Sequence, residues 1–329
     1  MINNDDSSFI LHPSSFDSGK RLDAFLAEKI ENWSRSRLQK AISNGEVSVN
    51  GNNAKSSYKI SESDEIEIEL TEIAADNFEP ENIPLNIVFE DEFLAVINKS
   101  AGMVVHPGAG VLGGTLANAI AFHFKFQIPD LKSETDEIPN PKSQIRNRIG
   151  IVHRLDKDTS GLIVVAKTQE VLEALSDLFR KREVYKSYVA LVHGEITQNV
   201  GKIDAAIARE KHNRTKMAVR LHGRFAISHW KVKQKFEKFT LVAVEIKTGR
   251  THQIRVHLAH INHPVVGDET YNSGRDKTVH NLQIRQAIDE LGRFFLHAEK
   301  LSFTHPVTKE RLDFTAPLPE ELTDFLQIL

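Results

Sequence analysis

Ten residues in the middle of the chain carry an unusual density of groups that can do chemistry. The segment 153–162 reads His-Arg-Leu-Asp-Lys-Asp-Thr-Ser-Gly-Leu and leads into the apolar run 163–166. Asp156 lies between Arg154 and Lys157, and neighbouring cations favour the ionised form of a carboxylate. We therefore expect Asp156 to be a nucleophile or an electrostatic anchor rather than a general acid. The alternative is a solvated surface turn whose exposed ion pairs contribute little to stability.

Three further segments, taken in order with 153–162, resemble the motifs of one enzyme family. They are residues 87–107, the Lys-Ser-Tyr element 186–188 and the Gly-Arg-Thr-His-Gln-Ile-Arg-Val-His element 249–257. Together they resemble the pseudouridine synthases of the large-subunit ribosomal RNA type over most of the chain. Ser100 stands where many members carry a proline, and we interpret it as a loop variation without consequence for the chemistry.

The resemblance implies roles for four residues in converting uridine to pseudouridine, a reaction that needs no cofactor. Asp156 would be the essential carboxylate, and Arg255 would pair with it and keep it ionised. Tyr188 would offer its ring to the uracil and help to remove the C5 proton, although an ordinary core tyrosine is the alternative. A stacked uridine must be extruded, at a cost of about a few kcal/mol. Arg154 matches the family position whose side chain enters the gap that the extruded base leaves in the stack.

Three more positions are expected near this site because they adjoin the motifs. Leu162 and Ile254 are predicted to line the uracil pocket with apolar surface. Arg250 is predicted to contact RNA or to serve the turn in which it lies.

The first quarter of the chain is predicted to form a small RNA-binding module after a flexible tail at residues 1–17. Apolar residues at helical spacing, a strand and an Asn-Gly turn follow one another over residues 18–71. This order resembles the alpha-L module of a small-subunit ribosomal protein. Three bases at the start of its second helix could meet phosphates, or could simply be solvated: Arg35, Arg37 and Lys40. Residues 72–84 are predicted to be a linker.

Residues 85–329 are predicted to form the catalytic domain, an α+β fold with a mixed, mainly antiparallel sheet. Strand-like and helix-like stretches alternate here without the regular repeat of a parallel sheet. The apolar run 162–167 predicts a buried strand, and Thr168 is placed to cap the helix that follows. Residues 132–147 are polar and contain two prolines, and they are predicted to be an insertion or a loop whose role the sequence leaves open.

Composition and charge limit the other classes of protein. The 329 residues contain no cysteine, which excludes disulfides and thiolate chemistry. No apolar run approaches the roughly 20 residues that cross a bilayer, and the first residues do not form a signal peptide, so a cytoplasmic protein is expected. The net charge is −3, but ten bases and two acids lie between Arg209 and Lys238, which is the pattern of an RNA-binding surface.

Two tempting motifs are rejected on their chemistry. The glycine-rich segment 108–115 almost matches a phosphate-binding loop, but Gly114 stands where the lysine must be, so no nucleotide cofactor is expected. The histidines of residues 252–263 lack the spacing and glutamate of a zinc protease helix, so no metal is expected. Hydrogen-bonded or solvated histidines are the interpretation we favour.

Three classes of function remain open at this stage. The first is an RNA pseudouridine synthase acting as a monomer on large-subunit ribosomal RNA or its assembly precursor, with transfer RNA as the alternative substrate. The second is a ribosome-assembly factor that binds RNA without catalysis. The third is a glycoside hydrolase that uses Asp156 and Asp158 as its pair of carboxylates.

Overall fold

The fold was obtained as a computed structural model. It describes residues 8–30, 35–43, 45–69, 79–107, 111, 113–124, 150–210 and 216–329. Most of the predicted linker and all of the predicted 132–147 loop therefore lie outside the described residues. Within them, no helix is both long and apolar enough to cross a bilayer.

An N-terminal module packs two helices on a small antiparallel sheet. Its elements are β1 (Ser8–Leu11), α1 (Leu22–Lys29), α2 (Arg35–Ser43), β2 (Val47–Val49), β3 (Asn52–Asn53) and β4 (Ile66–Glu69). The strands are ordered β1-β4-β2-β3, and Leu22, Phe25, Leu38 and Ile68 are buried between helices and sheet. Helices and strands therefore follow the order expected from the hydrophobic spacing.

The module begins earlier than the sequence pattern indicated. Residues 8–17 were expected to belong to a flexible tail, but β1 pairs antiparallel with β4, with Ile10 opposite Glu67. Asp17 is buried and accepts hydrogen bonds from Ser14 and Lys20. The pairing satisfies the backbone hydrogen-bonding groups along the outer edge of β4. This long-range contact was not predicted, because a strand of four residues next to serines gives no local signal in the sequence. Residues 1–7 lie outside the described part of the chain.

The rest of the described chain is built around one large sheet. Its strands are β5 (Ile87–Glu90), β6 (Leu94–Lys99), β7 (Ser160–Ala166), β8 (Tyr185–His193), β9 (Val200–Asp204), β12 (Ile227–Lys235), β13 (Phe239–Ile246), β14 (Leu296–Thr304) and β15 (Arg311–Thr315). The order is β5-β6-β7-β14-β8-β13-β12-β9, with β15 paired to β14. Only β7 and β14 pair in parallel among these strands, so the domain is α+β with a mixed, mainly antiparallel sheet, as expected.

Helices and a hairpin surround this sheet. The helices are α3 (Leu116–His123), α4 (Gln169–Lys181), α5 (Gln253–His260), α6 (Leu282–Leu291) and α7 (Glu320–Ile328), and a 3-10 turn spans Arg275–Thr278. The hairpin consists of β10 (Ile207–Arg209) and β11 (Met217–Val219). Thr168 caps α4 as predicted, accepting a hydrogen bond from the Val171 amide at 3.3 Å.

The buried strand β7 divides the core into two clusters because successive side chains point to opposite faces. Leu162 and Val164 pack with Val171 and Leu172 of α4 on one face. Ile163 and Val165 belong to the larger cluster on the other face, which also contains Leu155, Tyr188 and Ile254. Leu155, Tyr188 and Ile254 therefore pack in a different cluster from the side chains that lie against α4.

The module contacts the catalytic domain at two backbone turns. Arg224 is buried and donates from Nη2 to the Gly45 carbonyl at 2.8 Å. Gly51 has a φ of 75°, and a Cβ at this position would lie 2.3 Å from the His222 carbonyl oxygen. Glycine is required at this approach because any side chain would collide with the backbone of the catalytic domain.

Candidate active site

The turn that carries Asp156 is held in place by its own first residue. His153 accepts a hydrogen bond from the Val164 amide at Nε2 (3.0 Å), and its ring stacks on Phe179 with 4.6 Å between centroids. Burial, with the nearby charge of Lys186, lowers the pKa of His153 to about 3. The imidazole is therefore neutral near pH 7, and it joins the start of the turn to β7 and α4.

A second anchor is Lys99, which the sequence analysis did not single out as functional. Its side chain is fully buried, and Nζ donates to the carbonyls of Ser100 (2.7 Å), Met103 (2.8 Å) and Lys157 (3.0 Å). Burial lowers its pKa to about 7. One ammonium thus ties the residue after Asp156 to the loop that follows β6.

Replacing this anchor is expected to destabilise the fold. In Lys99→Met three carbonyls lose a buried donor, so we expect the free energy of unfolding to fall by about 3 kcal/mol. Urea unfolding measures this change. Lys157→Ala removes an exposed lysine from the same turn, and its unfolding midpoint should match that of the wild type. Equal midpoints for Lys99→Met and the wild type would show that the three hydrogen bonds contribute nothing.

Asp156 is paired with Arg255, as the resemblance implied, across 99 residues of sequence. Arg255 Nη1 donates to Asp156 Oδ2 at 3.1 Å. The same guanidinium also binds Asp268. Arg255 Nε donates to Asp268 Oδ2 at 2.7 Å, and Arg255 Nη2 donates to Asp268 Oδ1 at 2.8 Å. Its Cζ lies 5.0 Å from the ring centroid of Tyr271 and 4.2 Å from that of Phe294. This clamp fixes the plane of the guanidinium and directs one remaining nitrogen at Asp156.

The charges of the site favour an ionised Asp156. Burial raises the pKa of this carboxyl, but the positive charges of His252, Arg255 and Arg154 and the hydrogen bond from Arg255 outweigh it, so the pKa lies below its ordinary value. His252 contributes only when it is protonated, whereas the guanidinium is always charged. Arg255 and Arg154 are therefore the permanent positive charges that keep Asp156 negative at neutral pH, and of these two Arg255 has the larger effect and also donates a hydrogen bond to it.

Tyr188 is a buried neutral phenol. Burial and the charge of Asp156 both raise the pKa of its hydroxyl. A phenolate is thus disfavoured beside Asp156, and Tyr188 can accept a proton only while it passes its own proton on. Tyr188 belongs to the same core cluster as Leu155 and Ile254, so the predicted site residues Tyr188 and Ile254 pack in one part of the core.

His252 and Tyr271 form a hydrogen-bonded pair that the sequence analysis missed. The Met217 amide donates to the Tyr271 hydroxyl at 2.8 Å, and this hydroxyl is 2.8 Å from His252 Nδ1. Tyr271 can accept from this amide and donate its O–H to Nδ1 at the same time, an arrangement in which the imidazole proton is on Nε2. His252 caps α5 with a φ of 54°, a conformation that costs most residues about 1 kcal/mol.

Two other histidines of this region are hydrogen-bonded, in line with the interpretation favoured from the sequence. His257 lies 2.9 Å from Ser228 Oγ and 2.9 Å from the Ala205 carbonyl, and His263 lies 2.9 Å from the His193 carbonyl. In the part of the chain that the structure describes, no group of three histidines or carboxylates is placed to hold a metal ion. Half of the glycine-rich segment 108–115 falls outside that part.

One predicted pocket residue packs apart from Tyr188. Leu162 was expected to line the uracil pocket, but it packs against α4 in a different buried cluster from that of Tyr188. The strand alternation decides this, because adjacency in sequence to the Asp156 turn does not determine which face a side chain takes. Ile254, at the start of α5, remains on the Tyr188 side.

The predicted RNA-contacting bases have different surroundings. Arg154 is exposed beside Asp156, and Arg250 is half-buried, donating from Nε to the Phe225 carbonyl at 3.4 Å. Arg35 bonds the buried Asp23 through Nε and Nη2, both at 3.2 Å, so part of its role is to hold α2 against α1. The side chains of Arg37 and Lys40 lie outside the described residues.

The basic segment 209–238 is partly neutralised within its described residues. Lys233 pairs with Glu299 at 2.8 Å, and Lys235 approaches Glu195 at 3.5 Å. Counting charges along the sequence therefore overstated this surface, since acids from distant elements lie beside it.

Sequence reasoning also missed three residues that surround Arg255: Asp268, Tyr271 and Phe294. They come from the loop after α5 and from the approach to β14, and none belongs to a recognisable motif. A buried arginine requires a carboxylate partner, but nothing in the sequence indicates which of the 45 acidic residues supplies it.

Comparison with known proteins identifies this arrangement. Residues 93–260 match the RNA pseudouridylate synthase family, and residues 20–66 match the S4 domain. The "Ribosomal large subunit pseudouridine synthase D" of Pasteurella multocida is 42% identical over 296 residues, covering 89% of this chain and 86% of the relative. An "Uncharacterized RNA pseudouridine synthase" of Bacillus subtilis is 40% identical, covering 88% of each chain.

A solved structure agrees with the sequence relatives. The structure of "Human RNA Pseudouridylate Synthase Domain Containing 1" superposes with a TM-score of 0.53 at 25% identity, covering 74% of this chain and 87% of that one. Fold, motif order and sequence identity all lead to one family. The chain belongs to the RNA pseudouridylate synthases and carries an N-terminal S4 domain.

Proposed function

We propose that this enzyme converts uridine to pseudouridine in large-subunit ribosomal RNA, with Asp156 as the reacting carboxylate. The observation that carries the proposal is the ion pair from Asp156 to Arg255, itself clamped by Asp268, beside the neutral phenol of Tyr188. The choice of RNA is supported by the printed name of the Pasteurella multocida relative, which covers most of the chain.

The proposed chemistry is an isomerisation without a co-reactant. The N1–C1′ bond of uridine breaks, the uracil turns, and a C5–C1′ bond forms; the proton lost from C5 is balanced by one gained at N1. Asp156 either attacks as a nucleophile or assists elimination toward a glycal. Both routes need an ionised carboxylate, which the charge of Arg255 favours. Tyr188 supports the uracil and relays the C5 proton.

Arg154 is the proposed group that replaces the extruded base. It is exposed on the turn that carries Asp156, two residues away, and a guanidinium can stack within the gap and bond the neighbouring bases. Ile254 would form the apolar floor of the pocket. Arg250, Arg35, Arg37 and Lys40 are proposed to contact the RNA backbone, with Arg35 also serving the S4 domain.

Loss of Arg154 should weaken catalysis on structured RNA. For Arg154→Ala we expect kcat/KM to fall about 100-fold, because the unstacking cost of a few kcal/mol is no longer offset. Rates on a folded stem-loop and on an unpaired oligonucleotide containing the same uridine measure this. The defect should shrink on the unpaired oligonucleotide. Equal losses on both RNAs would contradict the proposed role.

The choice of substrate is tested by tritium release. Large-subunit ribosomal RNA, small-subunit ribosomal RNA and transfer RNA, each carrying tritium at uridine C5, are offered separately, and the large-subunit RNA is also offered within assembled subunits. We expect release from large-subunit RNA only. Release from transfer RNA alone would overturn the substrate assignment. Tight binding without release from any RNA would favour the non-catalytic assembly factor.

We also propose that the enzyme is a cytoplasmic monomer. The proposed ribosomal RNA substrate fits a cytoplasmic location. The S4 domain supplies a second RNA-binding unit within one chain, so a partner copy is not needed to enlarge the RNA surface. Light scattering of the free protein tests the monomer; a dimer at micromolar concentration would contradict it.

A further inference from the structure

Phe225 is an aromatic side chain held on the outside of the catalytic domain. It lies in an extended segment between the β10–β11 hairpin and β12, and its neighbours Arg224 and Ala226 are buried. Because side chains alternate along an extended chain, burying both neighbours turns Phe225 outward. Its side chain is 46% exposed although it is large and apolar.

Two arginines from distant elements converge on this residue. The Cζ of Arg182, in the left-handed residue that ends α4, lies 5.1 Å from the ring centroid. Arg250 Nε donates to the Phe225 carbonyl at 3.4 Å. A guanidinium over an exposed ring orders both groups. The exposed part of the ring remains open to a second planar group.

This position lies between the S4 domain and the turn that carries Asp156. On one side, Arg224 donates to the Gly45 carbonyl of the S4 domain at 2.8 Å. On the other side, Arg182 is one helical turn from Phe179, whose ring stacks on His153. An RNA strand that reaches both the S4 domain and Asp156 therefore passes this surface.

We propose that Phe225, with Arg182 and Arg250, is a stacking site for one unpaired RNA base that flanks the target uridine. Aromatic rings accept any base on their faces, and flanking guanidinium groups attract the adjoining phosphates. The charge of the two arginines excludes a basic partner and complements a polyanion. The proposal rests on membership of an RNA-modifying family, but not on the preference for large-subunit RNA.

Kinetics of four variants on purified large-subunit ribosomal RNA test the stacking site. Phe225→Leu keeps an apolar side chain but removes the ring, so we expect KM to rise about tenfold with kcat nearly unchanged. Phe225→Tyr should behave as the wild type, and Arg182→Gln should show a smaller rise in KM. The matched control is Phe122→Leu, which alters another phenylalanine that is 46% exposed, on α3; its KM should not change.

A fluorescence measurement separates this proposal from the proposed substrate. In Phe225→Trp the indole should stack on the base, so adding RNA should quench its emission beyond the change seen in the wild type, which already contains two tryptophans. The quench needs binding but no turnover, and it should appear even if the RNA offered is not modified. Absence of the extra quench under conditions in which RNA binds, or equal KM values for Phe225→Leu and Phe122→Leu, would overturn the stacking site.

Discussion

Asp156→Asn is expected to abolish pseudouridine formation while leaving the fold and RNA affinity unchanged. Asparagine has the same shape, and its carbonyl oxygen can still accept the hydrogen bond that Arg255 donates at 3.1 Å. It lacks the negative charge that both candidate routes require. We expect the rate to fall by at least about 10⁴-fold, the scale on which loss of an essential catalytic group acts. Tritium release from RNA labelled at uridine C5 measures it.

The chain offers a matched control within the same turn. Asp158→Asn removes another carboxylate, two residues away, and should keep most of the activity. The pair of variants also separates the proposed reaction from glycoside hydrolysis, which requires two catalytic carboxylates. If Asp158→Asn were as inactive as Asp156→Asn, the single-carboxylate assignment would fail; if Asp156→Asn turned over normally, Asp156 would not be catalytic.

Arg255→Gln is expected to lower kcat about 100-fold to 1000-fold and to change the pH dependence of the enzyme. In the wild type the pKa of Asp156 lies below the ordinary value of an aspartate. Activity should therefore not fall until the pH drops toward this lowered pKa. Without the guanidinium, burial is the dominant influence, and burial raises the pKa of a carboxyl. The acidic limb of the rate profile should therefore move to higher pH, because protonated Asp156 is inactive.

Stability must be measured beside activity for this variant. Removing Arg255 leaves Asp268, which is almost fully buried, without the cation that binds both of its oxygens. Breaking one partner of a buried pair costs about 3–5 kcal/mol. Arg255→Lys provides the control, since it keeps the charge but cannot reach Asp156 and both oxygens of Asp268 in one plane. Its acidic limb should lie between those of the wild type and Arg255→Gln. An unchanged limb in both variants would show that Arg255 does not control the ionisation of Asp156.

The parts of the site that could be predicted from the sequence are those whose pattern lies within a few consecutive residues. Asp156 stands out because charged and hydroxyl groups crowd one short turn, and the motifs that contain Tyr188 and Arg255 follow it in a recognisable order. The helices of the S4 domain and the buried strand β7 were predicted because hydrophobic spacing reports which side of one element is covered. These are properties of a few consecutive residues.

The supporting contacts could not be read in this way. Lys99 binds a carbonyl 58 residues further along the chain, and β1 pairs with β4 across about the same separation. Each contact joins a residue of ordinary type to a partner whose distance in sequence carries no information. Leu162 shows the same limit on a small scale, because the face of a strand is chosen by what packs on it.

By itself the sequence determined the chemistry available to this protein: an aspartate among cations, a tyrosine and an arginine in ordered motifs, and an S4 domain before them. Only the tertiary structure decided the state of that aspartate. Asp268, Tyr271 and Phe294 fix the guanidinium of Arg255 in a buried place beside Asp156. There its charge and hydrogen bond, together with the charges of His252 and Arg154, outweigh the cost of desolvating Asp156. Ionisation depends on distance and burial, and both arise only when elements far apart in the chain are packed together.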